Sequence, residues 1–281
     1  VTDSAQDSGN FCYRHPDRQS FILCQRCGRT VCAECQTQAA VGVHCPECVR
    51  EARESAPRTR PAAVTRIRSS MRGTSGAPVV TYTLIGLNLV FYVLELLTGG
   101  ALFRSLAYYS SPDATAAEPW RMITSAFLHS MSSPLHILFN MFSLYIFGPI
   151  IEQAVGRARF LALYLLAAFG GSVAVLLLSP NVVVVGASGA IFGLLGAFFV
   201  VQRRLGGNST QLVVVIVLNL VIGFIVPGVA WQAHVGGLVV GAGVAALYLA
   251  TRRRQQKSVQ IAAVAGVAAL LVAVSIVAVA M

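Results

Sequence analysis

From Val79 to Met281, seven mostly apolar stretches follow one another with only short polar breaks. They are Val79–Leu97, Leu135–Ile151, Phe160–Leu178, Gly186–Val201, Leu212–Val226, Trp231–Ala250 and Ile261–Met281. A helix that crosses a bilayer needs about 20 apolar residues, within a range of roughly 17–25. The fourth and fifth stretches are short, and any one alone could be a buried core helix. Seven in series leave too little polar surface for a soluble fold, so the fold class is an all-α polytopic membrane protein. The chain is 56% hydrophobic and 11% charged, against about 25% charged in a soluble domain.

The charges are concentrated at one end. Residues 1–78 carry 11 of the 21 Lys+Arg and 7 of the 11 acidic residues. Between the apolar stretches, the arginines alternate from side to side. With the N-terminus inside, the cytoplasmic loops hold Arg157 and Arg159, then Arg203 and Arg204, then Arg252, Arg253, Arg254 and Lys257. The outer loops hold only Arg104 and Arg121. Positive residues accumulate on the cytoplasmic side, which predicts a multi-pass plasma-membrane protein, N-terminus cytoplasmic and C-terminus external. The net charge of +10 does not point to nucleic acid, because the basic residues form no single folded face. The chain opens on polar Val1-Thr2-Asp3-Ser4, so the first apolar helix is expected to act as the insertion signal. Residues 98–134 form a long aromatic-rich loop, expected to lie at the membrane interface.

A polar group in hydrocarbon is expensive and needs a reason. Four stand out: His136 and Asn140 in the second span, Ser188 in the fourth and His234 in the sixth. His136 and Asn140, four residues apart, share a helix face. Ser188 lies in Gly186-Ala187-Ser188-Gly189, and His234 precedes Gly237 and Gly241, a small-residue face that lets helices approach closely. In the arginine-derived topology His136, Ser188 and His234 all fall within about one turn, roughly 5.4 Å, of the outer start of their spans. Histidine is the usual base that activates a serine hydroxyl, and histidine and asparagine side chains beside a backbone N–H can hold an oxyanion. Glu95 lies toward the outer end of the first span and Glu152 at the inner end of the second, so a Ser-His dyad is expected, not a triad with an acid.

These residues resemble the rhomboid family of intramembrane proteases. The resemblance covers roughly residues 79–251 and rests on four ordered motifs: Glu118-Pro119-Trp120-Arg121, His136-x-x-x-Asn140, Gly186-x-Ser188-Gly189 and Ala233-His234-x-x-Gly237-x-x-x-Gly241. It implies a catalytic dyad of Ser188 and His234, with the Ser188 amide, His136 and Asn140 holding the oxyanion. It also implies a six-helix core with Ile261–Met281 as an added seventh helix. Phe192 stands where some members carry a tyrosine packed on the base. Family substrates are single-span membrane proteins cut near the outer face, and no cofactor serves the chemistry.

All seven cysteines lie between Cys12 and Cys48, in the order Cys12-x2-His15-x8-Cys24-x2-Cys27-x4-Cys32-x2-Cys35-x9-Cys45-x2-Cys48. An odd number of cysteines in C-x-x-C pairs argues for metal and a reducing compartment. Eight ligands in four pairs match two tetrahedral zinc sites, with His44 able to replace Cys45. The order is similar to the B-box zinc finger, in which alternate pairs share an ion. That resemblance implies one site of Cys12, His15, Cys32 and Cys35 and another of Cys24, Cys27, Cys45 and Cys48. Full coordination leaves no open position for catalysis, so both ions are expected to be structural and the module to bind a cytoplasmic protein.

The expected organisation is a disordered lead (1–10), a zinc-binding domain (11–50), a basic linker (51–78), a six-helix membrane core (79–251), and a basic loop with a seventh membrane helix (252–281). Two other functions compete with the protease. The intact serine and histidine disfavour a proteolytically silent relative that escorts membrane proteins. The absence of charges lining a path, and of repeated halves, disfavours a small-molecule transporter.

Overall fold

The computed structural model describes residues 10–39, 42–55 and 77–281. Residues 1–9 of the expected lead and most of the basic linker lie outside the described residues. The chain divides into two compact units, Val1–Arg60 and Pro61–Met281.

In the first unit, metal-ligand pairs alternate with very short strands. β1 (Phe11–Cys12) pairs antiparallel with β2 (His15–Gln19), and β3 (Thr37–Gln38) with β4 (Val43–His44). Helix α1 runs Pro46–Ser55, so residues 51–55, expected in the linker, continue this helix. Pro46 suits the first helical position, and an Arg50–Glu54 pair one turn apart supports the last one. The interior consists of Val31, Val43 and six cysteines. An apolar core that small cannot hold a fold without metal.

The second unit is helical. Helix α2 (Val79–Thr98) leads into the long loop, which folds into three short helices, α3 (Ala101–Leu106), α4 (Pro112–Ala117) and α5 (Arg121–Thr124), and a strand β5 (Tyr108–Tyr109). Then come α6 (Pro134–Val155), α7 (Arg157–Leu178), strand β6 (Val183–Val184), α8 (Ser188–Arg204), α9 (Thr210–Ile225), α10 (Trp231–Ala250) and α11 (Lys257–Ala280). Each of the seven apolar stretches is a helix, and several extend beyond the apolar run, because backbone hydrogen bonding continues into the polar ends. Among the described residues, five helices are long and apolar enough to cross a membrane: α2, α6, α7, α10 and α11. α8 and α9 are shorter, at 17 and 16 residues. Nine consecutive residues of α8, Gly189 to Ala197, are buried in the bundle. The irregular backbone before its first turn ends on fully buried Ala187, and at that point it meets protein, where such backbone is tolerated at membrane depth.

Two buried carboxylates serve as helix fittings. Glu152, near the end of α6, accepts from the Val80 and Thr81 N–H groups (3.0 and 2.7 Å) and from the Thr81 hydroxyl (2.7 Å). It thereby satisfies the free donors at the start of α2. Glu95 accepts from the Phe103 N–H at 2.9 Å and holds α3 against the end of α2. The loop is pinned to the core by the Ser172 hydroxyl, which donates to the Met122 carbonyl at 2.6 Å. Arg121 pairs with Glu118 at 2.8 Å and donates to the carbonyls of Arg104 and Ala107.

The centre of the bundle is α7, α8 and α10, packed backbone to backbone. A Cβ at Gly237 would collide with the Gly189 carbonyl, one at Gly241 with the Gly193 backbone, and one at Gly236 with the Gly170 carbonyl. By contrast, a Cβ at Gly243, on another face of α10, would meet nothing within 4 Å. Gly241→Ala is therefore expected to lower stability by about 1–3 kcal/mol through overpacking. Gly243→Ala should leave it unchanged, or raise it by up to about 1 kcal/mol through helix propensity. Thermal unfolding of the two variants in detergent checks the contrast.

Candidate active site

Three helices begin at one place. His136 is the third residue of α6, Ser188 the first of α8 and His234 the fourth of α10. The Ser188 hydroxyl lies 3.0 Å from His234 Nε2. With the serine donating, the imidazole proton resides on Nδ1. That nitrogen is buried and has no hydrogen-bond partner among the described residues. In place of an acid, the ring lies flat on Phe192, with centroids 4.2 Å apart and planes 9° from parallel. Beside its Nδ1 edge stands Gly223 of α9, where a Cβ would come within 3.1 Å of that nitrogen. Packing, not an ion pair, fixes the orientation of this imidazole.

The segment before α8 shapes the rest of the pocket. Gly186 has φ +125°, a conformation that L side chains rarely adopt, and its N–H donates to the Ser125 carbonyl at 3.0 Å. A Cβ there would stand 2.8 Å from His136 Nε2, so only glycine leaves room for that ring beside Ser188. The Ser130 N–H donates to His136 Nδ1 at 3.2 Å. A nitrogen that accepts cannot carry the proton, so Nε2 is the N–H and faces the serine side. Asn140, one turn further along α6, donates from Nδ2 to the His136 carbonyl at 2.7 Å, while its Oδ1 is buried without a partner among the described residues. Ser188, His234 and His136 are thus brought together, while Asn140 stands one turn further along α6 and is bonded within its own helix.

Several residues of the pocket carry no signal in the sequence. His129 is 2% exposed, neither ring nitrogen has a hydrogen-bond partner among the described residues, and its ring lies 5.1 Å from that of His136. Burial, with His136 nearby, pushes its pKa down to about 3, so it stays neutral. Ser125, Ser130 and Gly223 are ordinary residues in a loop or helix until the fold places them. β5 pairs antiparallel with β6, Tyr108 opposite Val184, joining the long loop to the segment that leads into Ser188.

The first unit holds a second kind of site. Two clusters each gather four ligand atoms within 4.8 Å of one another: Cys12, His15, Cys32 and Cys35, and Cys24, Cys27, Cys45 and Cys48. A tetrahedral zinc with Zn–S of about 2.3 Å and Zn–N of about 2.0 Å separates its ligands by roughly 3.5–3.8 Å. His15 Nδ1 lies 3.8, 3.4 and 3.4 Å from the sulfurs of Cys12, Cys32 and Cys35, and Cys27 Sγ lies 3.7 Å from Cys45 Sγ. The donor sets fit such an ion. Gly28, at φ +75°, closes the knuckle after Cys27 by donating to the Cys24 carbonyl at 2.8 Å. Burial tends to raise the Cys12 and Cys24 thiols, but backbone N–H donors outweigh it and bring both down to about 6. Burial and neighbouring thiols push Cys35 up to about 11 and Cys48 up to about 12. His44 lies in β4, outside both clusters.

Comparison with known proteins gives a match to the Rhomboid domain family over residues 116–251. The rhomboid protease GluP of Bacillus subtilis is 35% identical over 176 residues, covering 59% of this chain and 34% of that protein. The putative rhomboid protease YdcA of the same organism is 33% identical over 172 residues, 58% of this chain and 85% of the relative. The rhomboid protease GlpG of Haemophilus influenzae is 31% identical over 170 residues, 58% and 86%. The chain spans about a third of GluP, and 42% of RHOMBOID-like protein 6 of Arabidopsis thaliana.

Gly186→Ala should displace His136 while leaving the helices in place. Labelling of Ser188 by a serine-directed phosphonate is then expected to fall about 10²–10³-fold, the usual effect of losing one oxyanion donor. Unchanged labelling at unchanged fold would mean that His136 does not face the serine.

Proposed function

Because this chain belongs to the rhomboid family and is a multi-pass membrane protein, we propose that it is an intramembrane serine endopeptidase working through a Ser188–His234 dyad. The observation that carries the reading is the 3.0 Å approach of the Ser188 hydroxyl to His234 Nε2, with His136 Nε2 turned to the same spot. In the reaction, Ser188 Oγ attacks the scissile carbonyl as His234 takes the hydroxyl proton. The carbonyl oxygen becomes an oxyanion, held by the Ser188 N–H, His136 and a second amide hydrogen of Asn140. The C–N bond breaks, His234 returns its proton to the leaving amine, and an acyl-enzyme remains. Water, deprotonated by the same histidine, then hydrolyses the ester and frees Ser188.

The substrates are single-span membrane proteins, cut where their helix opens near the outer face. A peptide bond inside a helix has its carbonyl shielded, so cleavage requires local unwinding. The arginine pattern supports a plasma-membrane location with the N-terminus cytoplasmic and the C-terminus external. A silent escort role is the alternative, and the paired serine and histidine speak against it.

The N-terminal module is read as a B-box-type domain with two structural zinc ions: Cys12, His15, Cys32 and Cys35 at one, and Cys24, Cys27, Cys45 and Cys48 at the other. Bound zinc would supply charge and cross-links, and the protein ligands would hold the short strands in place. A cytoplasmic protein is its expected partner, and nucleic acid is not.

Purified protein in detergent with a model single-span substrate tests the enzyme. Ser188→Ala and His234→Ala should each reduce cleavage by about 10³-fold or more; cleavage equal to wild type would refute the assignment. Metal analysis of the full chain should find about two zinc ions, and His15→Ala about one. Because bound thiols must lose their protons, zinc retention should weaken as pH falls. A zinc content of zero at neutral pH would refute the paired sites.

A further inference from the structure

The dyad lies at the start of α10. Tyr248, near the other end of the same helix, is fourteen residues from His234, or about 21 Å along the axis. There the second unit has a cavity of about 430 Å³ that the proteolytic reading does not use. Its walls are apolar and come from α7, with Ala162 and Leu165, and α11, with Ile261, Val264 and Ala268, closed at one end by Tyr248 of α10. Alanines at 162 and 268 leave the space that larger side chains would fill.

Polar groups at the cavity are confined to one end, and almost all are satisfied. Gln260 is 4% exposed; its oxygen accepts from Arg159 Nε, and its nitrogen donates to the Thr251 hydroxyl (2.9 Å) and carbonyl (3.2 Å). The Tyr248 hydroxyl donates to the Arg159 carbonyl at 3.0 Å. What remains is charge. Arg159 sits at the cavity's polar end and forms no ion pair among the described residues; nor do Arg157, Arg252, Arg253 or Lys257 on the same side of the bundle. Glu152, the acid nearest in sequence, is already taken by the start of α2.

We propose that this cavity is a binding site for an anionic phospholipid, with an acyl chain between α7 and α11 and the phosphate on Arg159. In a membrane protein the medium around α11 is lipid, as its exposed Ile261, Leu270 and Ile276 attest, so an apolar cleft between two spans is filled by a chain. The unpaired cations at one end select the headgroup: basic groups near a membrane surface attract anionic lipids, which are enriched in the cytoplasmic leaflet. The site rests on the membrane placement of the chain and not on Ser188 acting as a nucleophile. Its occupant bridges the bundle and the last helix, whose buried residues are Gln260, Leu271 and Ser275 alone.

The test uses the full chain in detergent, titrated separately with phosphatidylglycerol and phosphatidylcholine. Native mass spectrometry reads the bound lipid, and the thermal unfolding midpoint reads its effect. Wild type is expected to retain one phosphatidylglycerol about tenfold more tightly than phosphatidylcholine, the weight of roughly one well-placed cation. Arg159→Gln should remove that preference while still admitting a chain. Ala162→Phe should close the cavity to both lipids. Equal retention of the two lipids by wild type would overturn the headgroup assignment. Undiminished phosphatidylglycerol binding by a folded Ala162→Phe protein would overturn the site itself.

Discussion

Everything in the membrane unit depends on how closely α8 and α10 approach. In hydrocarbon there is no hydrophobic force to press two helices together, so association relies on van der Waals contact and on backbones that can come near. Gly237 and Gly241 of α10 rest on the backbone of Gly189 and Gly193 of α8, with no space at either for a single methyl. That approach sets the distance between the first turns of the two helices, and hence the 3.0 Å between Ser188 and His234. Larger residues along the seam would separate the helices, and the hydroxyl and the imidazole would part with them.

Polar groups inside the bundle are accommodated one by one. Glu152 and Glu95 neutralise donors at helix starts. His136 has its Nδ1 occupied by the Ser130 N–H, which leaves the other nitrogen committed as a donor. His234 has no such partner on Nδ1 among the described residues and is held by Phe192 and by the room that Gly223 leaves. A histidine oriented by an aromatic face needs no buried anion, and so avoids the desolvation that a third carboxylate would suffer in this setting.

Much of this could be read in the sequence. The seven apolar runs and the recurrence of His136, Ser188 and His234 near the starts of their runs are local patterns, legible because a helix in lipid must be continuous and apolar. The C-x-x-C spacing was equally plain, since a tetrahedral ion demands ligands at short, fixed intervals. What escaped was tertiary. Residues 98–134 read as an aromatic loop, yet they form three short helices and a strand that pairs with Val183–Val184. A two-residue strand has no periodicity to detect, and its partner lies about seventy residues away. His129, Ser125 and Gly223 likewise acquire a role only from what the fold sets beside them. Helix ends were displaced because hydropathy marks where lipid stops, whereas hydrogen bonding marks where the helix stops.

The short ladder between Tyr108 and Val184 joins the long loop to the segment before α8, and Ser110 extends that junction through its bonds to Asn181 and Val182. Only three residues separate Val184 from Ser188, and Gly186 among them is fastened to Ser125. The position of the long loop is therefore tied to the first turn of α8 through a link only a few residues long. The loop and the first turn of α8 are thereby set in one register, so the Ser188 hydroxyl is positioned from two sides, by the strand pairing ahead of it and by the packed helix behind it.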